Sequence, residues 1–256
     1  MSAPPPKRLL DQFRELVPRQ IKASIFDRLI TSPALSRWAA GTDGIVKSRG
    51  LRFDISGEHS HHAGALRLGL YERAERYMAA SFYDGTRDVV ELGASLGVIS
   101  CELARQRKPG IRLIAVEAEP TLAERALRNL KLNGFVDAHV ENLAIDYSGA
   151  QSVGFASGLG LAGRVTDSGD LQVPASTLSG LLETYAVGEF DLVMDIEGAE
   201  DAVLRNEFDA LQRCGRILCE FDSDHLDAEG TPPLLAQLGF RMIYRHESCA
   251  AFERID

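Results

Sequence analysis

The chain has 256 residues, 45% of them hydrophobic and 25% charged, with a formal net charge of −9. That length buries one substantial core with at most a short accessory segment. No apolar run approaches the ~20 residues needed to cross a bilayer, and an acidic body argues against general nucleic-acid binding, which needs a basic footprint.

The charge is uneven: residues 1–50 hold nine Lys/Arg against four Asp/Glu, so the remainder is more acidic still. The start, Met1-Ser-Ala-Pro-Pro-Pro, lacks the charged and apolar regions of a secretory signal, and the cytoplasm is the expected compartment. Cys101, Cys214, Cys219 and Cys249 form no C-x-x-C pair and read as small buried hydrophobes.

Residues 7–30 carry apolar side chains at helical spacing, broken at Pro18, which predicts two short amphipathic helices. Such a segment can cap the domain, support a homo-oligomer, or make peripheral contact with a membrane. Ile45-Val-Lys and Leu51–Ile55 alternate as short strands. The run Glu58-His59-Ser60-His61-His62 reads as a solvated loop rather than a metal site. Leu66–Phe82 is expected to be one amphipathic helix.

From Arg87 onward strand and helix alternate, which implies a parallel sheet with right-handed crossovers. Asp88-Val-Val-Glu-Leu-Gly-Ala-Ser-Leu-Gly-Val-Ile-Ser100 reads as a buried strand, a glycine turn and the helix Ser100–Arg107. In a doubly wound sheet this turn is where a nucleotide-like cofactor sits. The spacing Gly93-x-x-x-Gly97, with Ala94 and Ser95 between, lacks the third glycine of a dinucleotide fingerprint. Glu91 would repel a pyrophosphate but attract an ammonium or sulfonium. A second strand ends in Glu117-Ala118, and an acid there can accept both ribose hydroxyls. Together they favour S-adenosylmethionine over NAD.

Proline at Pro120 opens the helix Thr121–Leu132. Ala138–Ile145 is the expected third strand, where Asn142 or the backbone around Ala144 could read an adenine edge. Gln151–Phe155 suggests a small hairpin. The helix Thr177–Tyr185, the strand Phe190–Asp195, the helix Asp201–Gln212, the strand Arg216–Phe221, the helix Pro232–Leu238 and an antiparallel pair Phe240–Arg245 with Ala250–Ile255 follow.

Read at their carboxyl ends, the strands offer Glu91, Glu117, Asn142, Asp195 and Glu220. Asp195 could orient the cofactor amine or the acceptor, and Asp195, Glu197, Glu220 and His225 are the candidates for taking the acceptor's proton. Glu200 stands level between a structural and a functional role. Asp195, Glu220, Asp222 and His225 could hold a hard divalent metal, but the spacing matches no firm motif and a metal is not favoured.

The segments Glu91–Gly97, Val116–Pro120, Asn142–Ile145, Thr177–Leu182, Leu192–Glu200 and Ile217–Glu220 together resemble the FkbM-type methyltransferases over roughly residues 66–246. The resemblance implies a doubly wound α/β fold with a seven-stranded, mostly parallel, Rossmann-like sheet closed by an antiparallel hairpin. Residues 1–65 are then an N-terminal helical and loop extension, and 66–256 the catalytic domain. It implies S-adenosylmethionine-dependent O-methylation of a small-molecule, sugar, glycan or natural-product hydroxyl. Val193 stands where many relatives carry lysine, and His225 lies five residues beyond Glu220. A non-catalytic module of the same fold, or a nicotinamide-dependent oxidoreductase, is the competing reading; Glu91 speaks against the latter.

Overall fold

The computed structural model describes residues 32–56, 62–157, 163–166, 171–196, 198–221 and 231–255. The helices expected over 7–30, together with His59 and His61, lie outside those residues. Helix α1 (Pro33–Ala40) opens with Ser32 as cap, its hydroxyl accepting the Leu35 N–H at 3.2 Å. The short hairpin β1 (Ile45–Ser48) and β2 (Leu51–Asp54) follows the alternation of its sequence.

The helix expected over Leu66–Phe82 is two helices, α2 (Ala63–Arg67) and α3 (Arg73–Phe82). Gly69 and Glu72 between them take left-handed conformations, with φ of 69° and 46°, and no helix passes through two such residues. Arg76 of α3 is fully buried against Glu102, Nη2 to Oε1 at 2.7 Å, and donates to Ser48 Oγ at 2.9 Å. A buried guanidinium must be paired; this pair fixes α3 to the hairpin and to the helix that carries Glu102.

Next come β3 (Asp88–Leu92), α4 (Val98–Gln106), β4 (Leu113–Val116), α5 (Pro120–Leu132) and β5 (His139–Glu141). The strand expected over Ala138–Ile145 ends early: β6 (Ala144–Ile145) leaves the main sheet and pairs with β9 (Leu171–Ser176). The break falls at Asn142, whose amide donates to the Glu117 and Ala118 carbonyls at 2.9 and 2.8 Å and so turns the chain. The expected hairpin is part of a four-stranded sheet of order β6-β9-β7-β8, with β7 (Ser152–Ser157) and β8 (Gly163–Val165).

The chain then forms α6 (Leu178–Thr184), β10 (Phe190–Met194), α7 (Glu200–Asn206), α8 (Phe208–Leu211), β11 (Cys214–Glu220), α9 (Thr231–Gln237), β12 (Phe240–His246) and β13 (Cys249–Arg254). The single helix expected over 201–212 is divided at Glu207, a buried carboxylate that accepts the Ser179 N–H at 3.0 Å.

The main sheet runs β12-β13-β11-β10-β3-β4-β5, parallel except for β13, which is antiparallel to both neighbours. Its two faces bury separate cores. Val89, Leu113, Leu218 and Ala251 face the α3–α4 side, and Val90, Ile114, Leu192 and Phe252 face the α6–α7 side. The alternation puts Glu91, next to Val90, on the α3–α4 face. Among the described residues no helix is long and apolar enough to cross a membrane.

Candidate active site

The turn after β3 is made of close backbone approaches. Gly93 (φ 90°) and Ala94 both donate to the Val116 carbonyl at 2.9 Å, and the Asp195 N–H donates to Leu92 O at 2.9 Å. A Cβ on Gly93 would stand 1.8 Å from the Asp195 carbonyl oxygen; one on Gly97 would stand 2.8 Å from Ala126 Cα in α5. Both glycines are required by neighbouring backbone. Ser95 between them also has positive φ (48°), and its N–H donates to Glu117 Oε2 at 2.7 Å.

Glu117, just beyond β4, accepts the Glu119 N–H on its other oxygen at 2.9 Å. Burial raises its pKa and those two backbone donors pull it back down. Each oxygen retains a lone pair, so this carboxylate is oriented and can still receive a pair of hydroxyls. Asn142 spends its amide on the Glu117 and Ala118 carbonyls. Ala144 is buried with Phe155 and Val173, with Ala118 packed against them. Asn142 therefore shapes the loop, and Ala118 and Ala144 form its apolar floor.

Glu91 is different. It is 1% exposed, and among the described residues neither carboxylate oxygen has a hydrogen-bond partner. Burial pushes its pKa up to about 8; Ser100 beside it is the next largest influence and lowers it, and Glu117 and Asp195 raise it. An unpaired buried carboxylate is costly, and residues of this kind concentrate at functional sites.

Glu91 lines a cleft that opens to solvent. Gly93, Ala94, Asp195 and Glu220 line it too, with Glu72 and Glu75 from the start of α3. Among the described residues that line it there is no Lys, Arg or His. Glu72 leaves Oε2 buried and unpartnered, and burial with Glu75 nearby raises it well above the carboxylate range.

Glu72 and Glu75 escape a reading of strand ends, because they reach the site from a helix crossing above it. Their one signal is the i, i+3 spacing of two acids at the start of an amphipathic helix.

Glu200 is buried and closes the turn after β10, accepting the Ile196 N–H at 2.8 Å and the Gly198 N–H at 2.9 Å. Its visible work is structural. Glu197, Asp222 and His225 lie outside the described residues.

The fit of these residues to S-adenosylmethionine rests on the orphaned Glu91 oxygens and on a cleft whose ionisable lining, among the described residues, is acidic throughout: Glu72, Glu75, Glu91, Asp195 and Glu220. Glu91 would hold the cationic end and Glu117 the sugar; a phosphate-bearing dinucleotide would meet repulsion at the same place.

Comparison with known proteins agrees. The family model described as the methyltransferase FkbM domain matches residues 91–242, more than half of the chain. No curated protein matches the sequence. Solved structures resemble it weakly. A protein in the NADB-Rossmann superfamily from Streptococcus agalactiae is 14% identical with a TM-score of 0.44, over 71% of this chain and 69% of that one. TYW2 from M. jannaschii in complex with AdoMet is 17% identical with a TM-score of 0.43, over 82% and 86%. A SAM dependent methyltransferase from Aquifex aeolicus is 10% identical with a TM-score of 0.41, over 71% and 90%. At such values these likenesses carry no argument about activity, and the family match stands without them. The chain belongs to the FkbM methyltransferase family and is a methyltransferase that uses S-adenosylmethionine.

Proposed function

We propose that this chain methylates a hydroxyl oxygen of a sugar, glycan or natural-product acceptor. The observation that carries the proposal is the cleft itself, in which Asp195 and Glu220 continue the acidic lining from Glu91 away from the glycine turn. A hydroxyl must lose its proton as its oxygen attacks, and a carboxylate within reach serves that step. When bound, S-adenosylmethionine supplies a methyl group on a positively charged sulfur.

Glu91 faces the cofactor's cationic groups in this reading, and Glu117 receives its ribose hydroxyls. Gly93, Ala94, Ser95 and Gly97 shape the turn against which the cofactor lies; Ala118, Asn142 and Ala144 shape the loop beside it. Asp195 orients the acceptor, and Glu220 stands at the acceptor side with Glu197 and His225 as further candidates. The acidic lining fits an uncharged or cationic acceptor better than an anionic one. The basic segment at residues 1–50 is proposed to bear on acceptor choice, on peripheral membrane contact or on self-association, and the cytoplasm as the site of action.

The test is calorimetric titration with S-adenosylmethionine, S-adenosylhomocysteine and NAD, followed by transfer of labelled methyl to a panel of sugars and polyols, with RNA as control. Binding of the first two alone, and label on a hydroxyl, are the expected results. Glu117→Ala should weaken cofactor binding by about 10- to 100-fold, the worth of hydrogen bonds to a charged group. Unchanged affinity would remove the ribose assignment; label on RNA alone would remove the acceptor class.

A further inference from the structure

The far side of the cleft holds a constellation that no strand-end reading anticipates. β-register places Val193 of β10 beside Glu91 of β3 and Leu218 of β11 beside Val193. Glu220, two residues past Leu218, therefore lies on the same face as Glu91. Two strand spacings separate them, about 10 Å across the sheet. Cys249 of β13 is the register partner of Glu220. Above this row α3 lays Glu75, whose carboxylate reaches Glu220. One oxygen of each acid and the Cys249 sulfur lie within 4.8 Å of one another. Ser248 Oγ donates to Glu220 Oε1 at 2.8 Å and fixes that side chain.

The Glu75 and Glu220 carboxylates face each other, with an oxygen of each within 4.8 Å of the other. Ionised carboxylates are acceptors only, so a hydrogen bond closing this pair requires a proton between them. Burial and the Glu220 contact push Glu75 up to about 7, as for two acids sharing one site. The Cys249 thiol is pushed up by its burial and stays neutral, which makes the group a poor cage for a hard cation. That a ligand enters this cleft is indicated independently by Glu91, buried on the same face with both oxygens unpartnered.

We infer that Glu75 and Glu220 form a proton-sharing pair at the acceptor end of the cleft, and that this pair takes the proton lost by the attacking hydroxyl. The inference rests on the hydroxyl-methylation reading above. In the step, the hydroxyl oxygen gains the methyl carbon as the carbon–sulfur bond breaks and its electron pair returns to sulfur. The hydroxyl proton passes to the ionised pair, which then holds it as one shared proton and later returns it to solvent. Glu75 is thereby assigned a catalytic place beside Glu220.

The test uses the full chain with its glutamate carboxyl carbons 13C-labelled, saturated with S-adenosylhomocysteine and titrated by NMR from about pH 4 to about pH 9. Two resonances, identified by Glu75→Gln and Glu220→Gln, should titrate as a coupled pair, one of them near neutrality. Glu220→Gln should return the Glu75 resonance toward the ordinary range by about one pH unit or more. Independent titration of both in the ordinary range overturns the pair. Loss of the shared proton on adding magnesium or zinc alone overturns it in favour of a metal site.

With an acceptor found by the panel, Glu75→Gln should lower kcat by about 100-fold or more with S-adenosylhomocysteine affinity kept. Glu75→Asp should recover part of the rate. The wild-type kcat should rise with pH to a plateau above about pH 7. An unchanged kcat in Glu75→Gln overturns the catalytic role. Should the coupled titration hold while the cofactor-bound wild type methylates no hydroxyl, the acceptor reading fails, and the catalytic use of the pair fails with it.

Discussion

The two ends of the parallel sheet use the same residue type in opposite ways. At the amino end each acid has an arginine. Asp88 meets Arg112 with Nε to Oδ2 at 3.0 Å, Asp84 meets Arg216 at 2.6 Å, and Asp191 lies 3.9 and 3.8 Å from Arg87 and Arg216. Asp84, held by Thr86 and Arg216 against its partial burial, is lowered to about 2, whereas Glu91 at the carboxyl end is raised to about 8. At the carboxyl end Glu72, Glu75, Glu91, Asp195 and Glu220 line one cleft with no basic side chain among its described lining residues. Acids at the first end lock strand starts together; acids at the second hold a field that an incoming cation relieves. Fold-level stabilisation and binding are thus divided along the strand axis.

The steepest test of this division is at the glycine turn. Gly93 has φ of 90° and a Cβ there would fall 1.8 Å from the Asp195 carbonyl. Gly93→Ala should cost about 4 kcal/mol or more, since both backbone strain and overlap must be relieved by moving β3 from β10. Urea unfolding measures it. A loss below about 1 kcal/mol would mean that the two strand ends are not held this closely.

Glu91→Gln should have the next largest effect, with stability and binding moving apart. The folded chain holds the Glu91 proton up to about pH 8, the unfolded chain only to about pH 4.3. The wild-type fold without cofactor therefore loses stability as pH rises through that window, where folding demands a proton that the solution withdraws. The glutamine variant escapes the loss. It should match wild type near pH 4 and exceed it by about 1–3 kcal/mol at pH 8, while binding S-adenosylmethionine more weakly. Cofactor binding to wild type at pH 7 should release a proton, visible as a heat that depends on the buffer. Greater stability of wild type at pH 8 would show that Glu91 is compensated within the fold.

Much of this division is legible in the sequence, because strand ends are positions and positions can be read. Val89-Val90, Leu113–Val116 and Leu192–Met194 are apolar runs each stopped by an acid, and they place Glu91, Glu117 and Asp195 on one rim from the sequence alone. What is not legible depends on crossings. The apolar spacing through Leu66, Leu70, Ala74 and Met78 continues across the break at Gly69 and Glu72, so period alone joins α2 to α3. The partnership of Glu75 with Glu220 needs the path of α3 over β11, and that of Cys249 needs the antiparallel register of β13. At Asn142 a side chain bonds to backbone carbonyls more than twenty residues away, and no local pattern reports that the strand ends there.

The gentlest test lies at the amino end, at Asp191. It is buried and lacks a hydrogen bond on either oxygen, as Glu91 does, yet two guanidiniums stand near it. Burial raises its pKa to about 6, and Arg216 and Arg87 hold the rise to that level. Its share of stability is therefore full below about pH 4 and is lost as pH climbs to about 6, a narrower window than that of Glu91. Asp191→Asn should remove this slope. At pH 7 it should exceed wild type by about 1–2 kcal/mol, less than Glu91→Gln gains at pH 8, because the attraction of Arg87 and Arg216 already offsets part of the cost of burying the charge. Urea midpoints at about pH 4 and about pH 7 decide the matter. A gain at pH 7 as large as that of Glu91→Gln would show that the arginines compensate nothing, and the contrast between the two ends would then reduce to burial alone.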